Sequence, residues 1–297
     1  MSDSLASSGL VVVDKPQGMT SHDVVGRIRR IMGTKKVGHA GTLDPMATGV
    51  LVLGVNRGTK FLAHLVAETK SYAATMRLGA ATDTDDAEGT VLHSAGAANL
   101  TEDDVRAILP DFTGDIMQRP TQVSAIKIDG KRAYQRARDG EDFEIPARPV
   151  NVSRFEILTS RRDGEFLDVD VEVDCSSGTY IRALARDIGA RLGCGGHLTA
   201  LRRTALGPIT INDALSLKEL EESPRLSLTM DQALPRFYPT LPITASEAEA
   251  LSMGKWLDPK GISGIHAAIA PDGRAIALVK ENSKRLSTIF VARPSTL

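Results

Sequence analysis

The chain has 297 residues, 42% of them hydrophobic, with a formal net charge of −1 and two cysteines. That length supports one large domain and a smaller one, and near-neutrality excludes a protein that attracts nucleic acid over its whole surface. Leu10–Val13 is too short for a signal or membrane-spanning segment, and Cys175 and Cys194 lack metal-ligand spacing, so a cytoplasmic protein without structural disulfides is expected.

Charge is segregated along the chain. Arg27–Lys36 carries five basic residues and no acid, Arg119–Arg162 ten against six, and Arg182–Arg203 five against one; Asp83–Asp104 holds seven acids and no Lys or Arg. One face of a near-neutral protein can then meet a polyanion.

In chain order, Val11-Val12-Val13-Asp14 reads as a short buried strand running into the turn Lys15–Gly18. Thr20 or Ser21 caps a helix to about Met32, with Asp23 in its first turn; Val24, Val25, Ile28, Ile31 and Met32 share a stripe that Arg27, Arg29 and Arg30 avoid. Gly38-His39-Ala40-Gly41-Thr42-Leu43-Asp44-Pro45-Met46-Ala47-Thr48-Gly49 follows. Its three glycines and one proline force turns, and Pro45 pushes Asp44 toward extended backbone. The apolar run Val50–Val55 then reads as a core strand, so a lone carboxylate is presented at its mouth with His39 and Thr42 beside it. Gly58-Thr59-Lys60 fails as a phosphate loop, because Gly54 and Gly58 enclose three residues and Thr59 precedes Lys60. A nucleotide hydrolase falls with it.

Lys60–Ala67 is expected as a short helix and Tyr72–Leu78 as an alternating strand. Thr82–Gly89 reads as an acidic turn of structural character; no histidine or further acid cluster completes a metal cage. Thr101–Leu109 is a capped helix led by acids. Phe166–Asp174 alternates as a half-buried strand showing acids to water, and a helix runs from about Tyr180 to Leu192. Arg182 falls in the first turn of that helix, where the dipole disfavours a cation, so it wants an anionic partner. An acidic helix follows Ser216-Leu217, Leu234–Pro242 reads as an interdomain linker, and Thr244–Leu297 as short strands with glycine turns.

The Gly38–Gly49 string closely resembles the catalytic motif of the TruB family of pseudouridine synthases, which isomerise the T-loop uridine of tRNA. Lys15–Ser21, Thr82–Gly89, Ser176–Arg182 and Gly193–Thr204 match further family motifs in family order, so the resemblance spans about Val11 to Leu206. Gln118–Tyr134 is similar to the family's insertion, an arm that closes over the stem-loop. It departs where the family has two adjacent prolines and an aromatic before Ser-Ala: here stand Pro120-Thr121 and Gln122-Val123.

The resemblance implies an α+β pseudouridine synthase fold, with a mixed or antiparallel central sheet flanked by helices and loops. It divides the chain into a catalytic domain (1–233) with a basic tRNA-gripping insertion at about 119–150, a linker (234–243), and a PUA-like RNA-binding β-barrel (244–297). It also implies roles. Asp44 is the catalytic acid and Arg182 its ionic partner; Tyr72 stacks on the target base and is a candidate proton acceptor. Leu201 lines the base pocket and His39 inserts where the base was. Lys15, Thr42, Arg202, Arg203, Lys127, Lys131 and Arg132 meet the RNA. The expected partner is the tRNA T stem-loop (position 55), with no cofactor, metal, membrane or obligate protein partner, and the expected state is a monomer.

Such chemistry cuts the bond between ribose C1′ and uracil N1, turns the ring and joins C1′ to C5. Nothing is oxidised or hydrolysed; what is needed is one ionised carboxylate in a dry pocket beside an extruded base. Three roles for Asp44 stay open: attack on C1′, addition to C6, or removal of the 2′ proton. Two other readings stand beside this one, a non-catalytic RNA-binding module on the same fold and a guide-RNA-dependent synthase.

Overall fold

The computed structural model describes all residues except 1–4, 66–68, 125, 129, 130, 140, 142 and 296–297, and only the backbone of 127, 128, 131, 132, 134, 137 and 138. In chain order the elements are β1 (Gly9–Lys15), α1 (Ser21–Ile31), β2 (Val37–Ala40), β3 (Thr48–Val55), α2 (Gly58–Phe61), β4 (Lys70–Leu78), β5 (Ala80–Thr82), β6 (Val91–Ser94), α3 (Glu102–Ile108), β7 (Gly114–Gln118), β8 (Lys127–Ile128), β9 (Lys131–Arg132), α4 (Ala133–Arg138), β10 (Arg148–Asp163), β11 (Phe166–Cys175) and α5 (Ile181–Arg191). They continue with β12 (Gly196–Leu206), β13 (Ile209–Thr210), α6 (Leu217–Glu222), β14 (Leu228–Thr229), α7 (Met230–Phe237), β15 (Thr240–Pro242), α8 (Ala245–Ser252), β16 (Ile265–Ile269), β17 (Ala275–Glu281) and β18 (Leu286–Val291). Two compact units result: Met1–Val66 with Leu206–Leu297, and Ala67–Ala205.

In the first unit β1 pairs antiparallel with β3 and with β14, and β2 pairs antiparallel with β3. Seven of the eight residues of β3 are buried, as a continuous apolar run requires. The expected helix cap is present: Thr20 accepts from the Asp23 amide and Asp23 returns a bond to the Thr20 amide. The helix foreseen at Lys60–Ala67 starts earlier, at Gly58, and tightens to a 3-10 turn at Leu62–His64. The C-terminal strands form a four-stranded sheet in the order β15-β16-β17-β18, with β15 parallel to β16 and the other pairs antiparallel. α8 lays Ala248 and Leu251 on one side of it.

The stretch read as a linker is folded. Leu234 is wholly buried in α7, and Thr240–Pro242 is a strand in register with Ala267–Ile269. The physical reason is a shared core: Leu10, Val12, Phe61, Leu234, Leu278 and Phe290 belong to one cluster of buried residues. Phe61 meets Phe237 edge-on with ring centroids 5.9 Å apart, and the Arg57 guanidinium lies over the Phe290 ring. Prolines punctuate this stretch without freeing it.

The second unit is built on strands in the order β12-β4-β11-β10-β7. β4 alternates buried and half-buried residues along its whole length, the period-2 pattern of a strand with one covered face. The acids of β11 after Asp168 are part-exposed, as the alternation requires, Asp168 is buried, and arginines of the flanking strands pair with them. Asp168 takes Arg77, Asp170 takes Arg161, and Asp174 takes Arg154. Register dictates this, since Asp168 lies directly opposite Arg77.

Both cysteines are free and buried. Burial pushes the Cys175 thiol up to about 11 and raises that of Cys194 as well. A thiol-reactive chromophore at pH 8 is therefore expected to titrate neither cysteine in the folded protein and both in denaturant.

Candidate active site

Asp44 sits on the loop between β2 and β3. The loop is flanked by Gly41 (φ 73°) and Gly49 (φ 97°), conformations that side chains disfavour. Its neighbours are anchored while Asp44 itself stays half-exposed. Leu43 is buried, and Ser21 Oγ brackets it, accepting from the Leu43 amide at 2.8 Å and donating to its carbonyl at 3.0 Å. Beyond Pro45, Met46 and Ala47 are buried too, and the Ala47 amide closes a turn onto the Asp44 carbonyl at 3.1 Å.

The segment Lys15–Ser21 is the plate behind this loop. Lys15 Nζ donates to the carbonyls of Pro16 (2.9 Å), Met19 (2.6 Å) and Pro45 (3.3 Å), and the Gly18 amide donates to the same Pro45 carbonyl at 2.8 Å. Lys15 has no exposed surface. Lys15, expected at the RNA, lies inside here, with its ammonium bracing the backbone under Asp44. Thr42 is exposed on the loop, and His39 is half-buried on β2 opposite Leu53.

In the second unit Arg182 lies in the first turn of α5 and is 3% exposed. Its Nη1 donates to Asp86 Oδ2 at 3.2 Å and to the Thr84 carbonyl at 2.7 Å, while Nη2 donates to the Val123 carbonyl at 2.8 Å. Asp86 is fixed in turn: its Oδ1 accepts from Thr84 Oγ1 at 2.6 Å and from the Glu88 amide at 3.0 Å. One turn along α5, Arg186 donates to Asp85 at 3.1 Å and to the Arg119 carbonyl at 2.7 Å. Burial raises the Asp85 carboxyl above its usual range despite that arginine. α5 seats closely on the start of β12, because a Cβ on Gly189 would lie 2.2 Å from the Gly196 amide nitrogen.

Tyr72 is buried on β4, on the face it shares with Lys70, Ala74, Met76 and Leu78; Leu201 is buried on β12. Arg202 is half-exposed. Arg203, expected at the phosphates, has no exposed surface here. Lys127, Lys131 and Arg132 have their backbones on the β8–β9 hairpin, and their side chains lie outside the described residues. The contacts of Ser21, Asp86 and Arg186 were not foreseen from the sequence. The signal for Asp86 was present: a cation at a helix N-terminus demands an anion, and Thr82–Gly89 supplied one as well as Asp44. Among the described residues no group of three or more His, Cys, Asp or Glu is disposed to hold a metal, and no helix is long and apolar enough to cross a membrane.

Residues 29–181 match the model of the TruB family pseudouridylate synthase N-terminal domain. The chain belongs to the TruB family of pseudouridine synthases. Residues 182–236 match the tRNA pseudouridylate synthase B C-terminal domain, and residues 238–293 the tRNA pseudouridine synthase II C-terminal region. The tRNA pseudouridine synthase B of Corynebacterium diphtheriae is 68% identical, with all of both chains covered. That of Rhodococcus jostii is 56% identical over all of this chain and 97% of its own. Among solved structures, a chain of a Cbf5-Nop10-Gar1 complex has a TM-score of 0.73 at 26% identity, covering 98% of this chain and 87% of that one. The protein thus has the TruB pseudouridine synthase fold with the family's C-terminal regions, and is an isomerase.

Replacing Lys15 by Met keeps the bulk and removes the donor from three carbonyls. Charge-assisted hydrogen bonds of this kind are worth about 1.5–3 kcal/mol, so urea unfolding of Lys15→Met is expected to show a loss of that order.

Proposed function

We propose that this protein converts the T-loop uridine of tRNA, position 55, to pseudouridine. The observation that carries the reading is Asp44 itself, a half-exposed carboxylate on a loop clamped by Ser21, Gly18 and Lys15, in a chain 68% identical end to end to a tRNA pseudouridine synthase B. Arg182 is the proposed ionic partner of Asp44. A guanidinium whose plane is fixed by Asp86 and two carbonyls is a preorganised donor, and a positive neighbour keeps a carboxylate ionised against desolvation.

In the proposed reaction the C1′–N1 bond breaks, the ring turns, and C1′–C5 forms; the C5 proton leaves and N1 gains one. Asp44 acts at the sugar or base, Tyr72 gives the flipped base a stacking face and takes part in the final proton loss, Leu201 walls the pocket, and His39 fills the gap in the loop. Thr42, Arg202 and the arm residues Lys127, Lys131 and Arg132 are assigned to the RNA, whose folded arm is recognised by shape and phosphates. The division at 233 and 244 is kept as a functional one: the first part does the chemistry and residues 244–297 hold RNA. The protein works as a cytoplasmic monomer without a guide RNA. Likeness to tRNA pseudouridine synthase B, at 56–68% identity against 26% for the Cbf5 complex chain, favours the tRNA reading over the guide-RNA one.

Asp44→Asn is expected to bind an unmodified tRNA transcript with unchanged affinity and to yield no pseudouridine; product at the normal rate would remove Asp44 from the mechanism. Arg182→Ala should lose rate by roughly 10²-fold, the scale of one electrostatic stabiliser, with affinity retained. Trp256, the only tryptophan of the chain, is 57% exposed beside exposed Lys255. If residues 244–297 hold RNA, tRNA should quench its fluorescence and Trp256→Ala should weaken tRNA binding about fivefold or more, as loss of one stacking contact does. An isolated T-arm hairpin serves as the comparison ligand.

A further inference from the structure

The second unit contains a joint that neither the chemistry above nor the family motifs assign. Gln118 ends β7, and its side chain is almost wholly buried, 2% of the residue being exposed. Its carboxamide makes both of its bonds to one residue: Oε1 accepts from the Tyr180 amide at 2.8 Å and Nε2 donates to the Tyr180 carbonyl at 3.0 Å. Tyr180 is the N-cap of α5 and offers that helix no capping side chain. The start of the helix is therefore held from outside, by an amide on a neighbouring strand. Arg182 follows two residues later.

Two further bonds join the same segment to α5. The Arg119 carbonyl accepts from Arg186, and the Val123 carbonyl accepts from Arg182. Residues 118–123 thus grip the first two turns of the helix at three places, and the guanidinium assigned to catalysis is one of them. This segment is also the root of the basic insertion.

We propose that Gln118 is a positioning residue for the isomerisation: its two hydrogen bonds set where α5 begins, and so hold the Arg182 guanidinium in register with Asp86 and with the reacting centre. The proposal rests on the catalytic reading of Arg182. Gln118 itself touches no substrate. A displacement of about 1 Å in a group aligned for reaction can cost 10²-fold in rate, and two lost hydrogen bonds at a helix start permit a shift of that size.

The test is single-turnover pseudouridine formation at saturating tRNA, measured with the tRNA dissociation constant and the thermal midpoint, for Gln118→Met and, in parallel, Arg182→Met. Methionine fills the same volume without either bond. The expected result is a folded Gln118→Met protein with a single-turnover rate reduced 10-fold or more and a dissociation constant within about threefold of normal, since the damage falls on alignment. A folded variant with the normal rate would overturn the proposal, and so would a loss confined to binding, which would make Gln118 part of the RNA grip. Should Gln118→Met not fold, Gln118→Glu, which keeps the acceptor for the Tyr180 amide and loses the donor, is read by the same two criteria. If Arg182→Met is slow while Gln118→Met is not, this proposal alone fails. If both keep the normal rate, the catalytic reading of Arg182 has failed first.

Discussion

A buried guanidinium at the wrong end of a helix is the constraint on which the second unit depends. Arg182 stands where the helix dipole repels it and where water cannot reach it. Such a cation is tolerated only with an anion and a full set of acceptors. Asp86 supplies the charge and Thr84 and Val123 supply carbonyls. Removing one partner of a buried pair typically costs about 3–5 kcal/mol, so the arginine has little freedom to take another pose. The acidic turn, the root of the insertion and α5 meet at this one side chain.

The first unit solves a similar problem with the opposite exposure. Lys15 gives its charge to main-chain carbonyls, Pro45's among them, and lies wholly inside. Asp44, next to that proline, is left half-exposed while Leu43 and Met46 are drawn into the core. A carboxylate on a loop becomes a precise group only when the loop's own backbone is immobile, and here the neighbouring motif does that work. The proposed acid and its proposed partner are thus each mounted on a rigid support of their own, which is what electrostatic preorganisation requires.

Much of this was legible in the sequence because it is local. The capping box at Thr20 and Asp23, the apolar run of β3, the alternation of β4 and the glycine-flanked Asp44 loop follow from residue order and short-range sterics. What escaped is what side chains reach across the chain. Nothing in the spacing of Asp86 tells that its partner is Arg182, and nothing local separates the exposed lysine of a turn from Lys15, whose stem runs back under Pro45. Arg202 and Arg203 look alike in order, yet strand alternation sends one outward and the other inside. Leu234–Pro242 looked like a linker because prolines punctuate it; burial of Leu234 and pairing of β15 with β16 override that signal.

The pairing of Arg182 with Asp86 is proposed to act as one device in the isomerisation. It is tested most directly by a double-mutant cycle on the single-turnover rate, with Asp86→Asn, Arg182→Met and the pair. Groups that work as a unit are strongly non-additive. The account predicts that the double variant is no slower than the slower single one. Losses that multiply, with tRNA binding unchanged, would mean that the two residues serve the reaction separately and would contradict it.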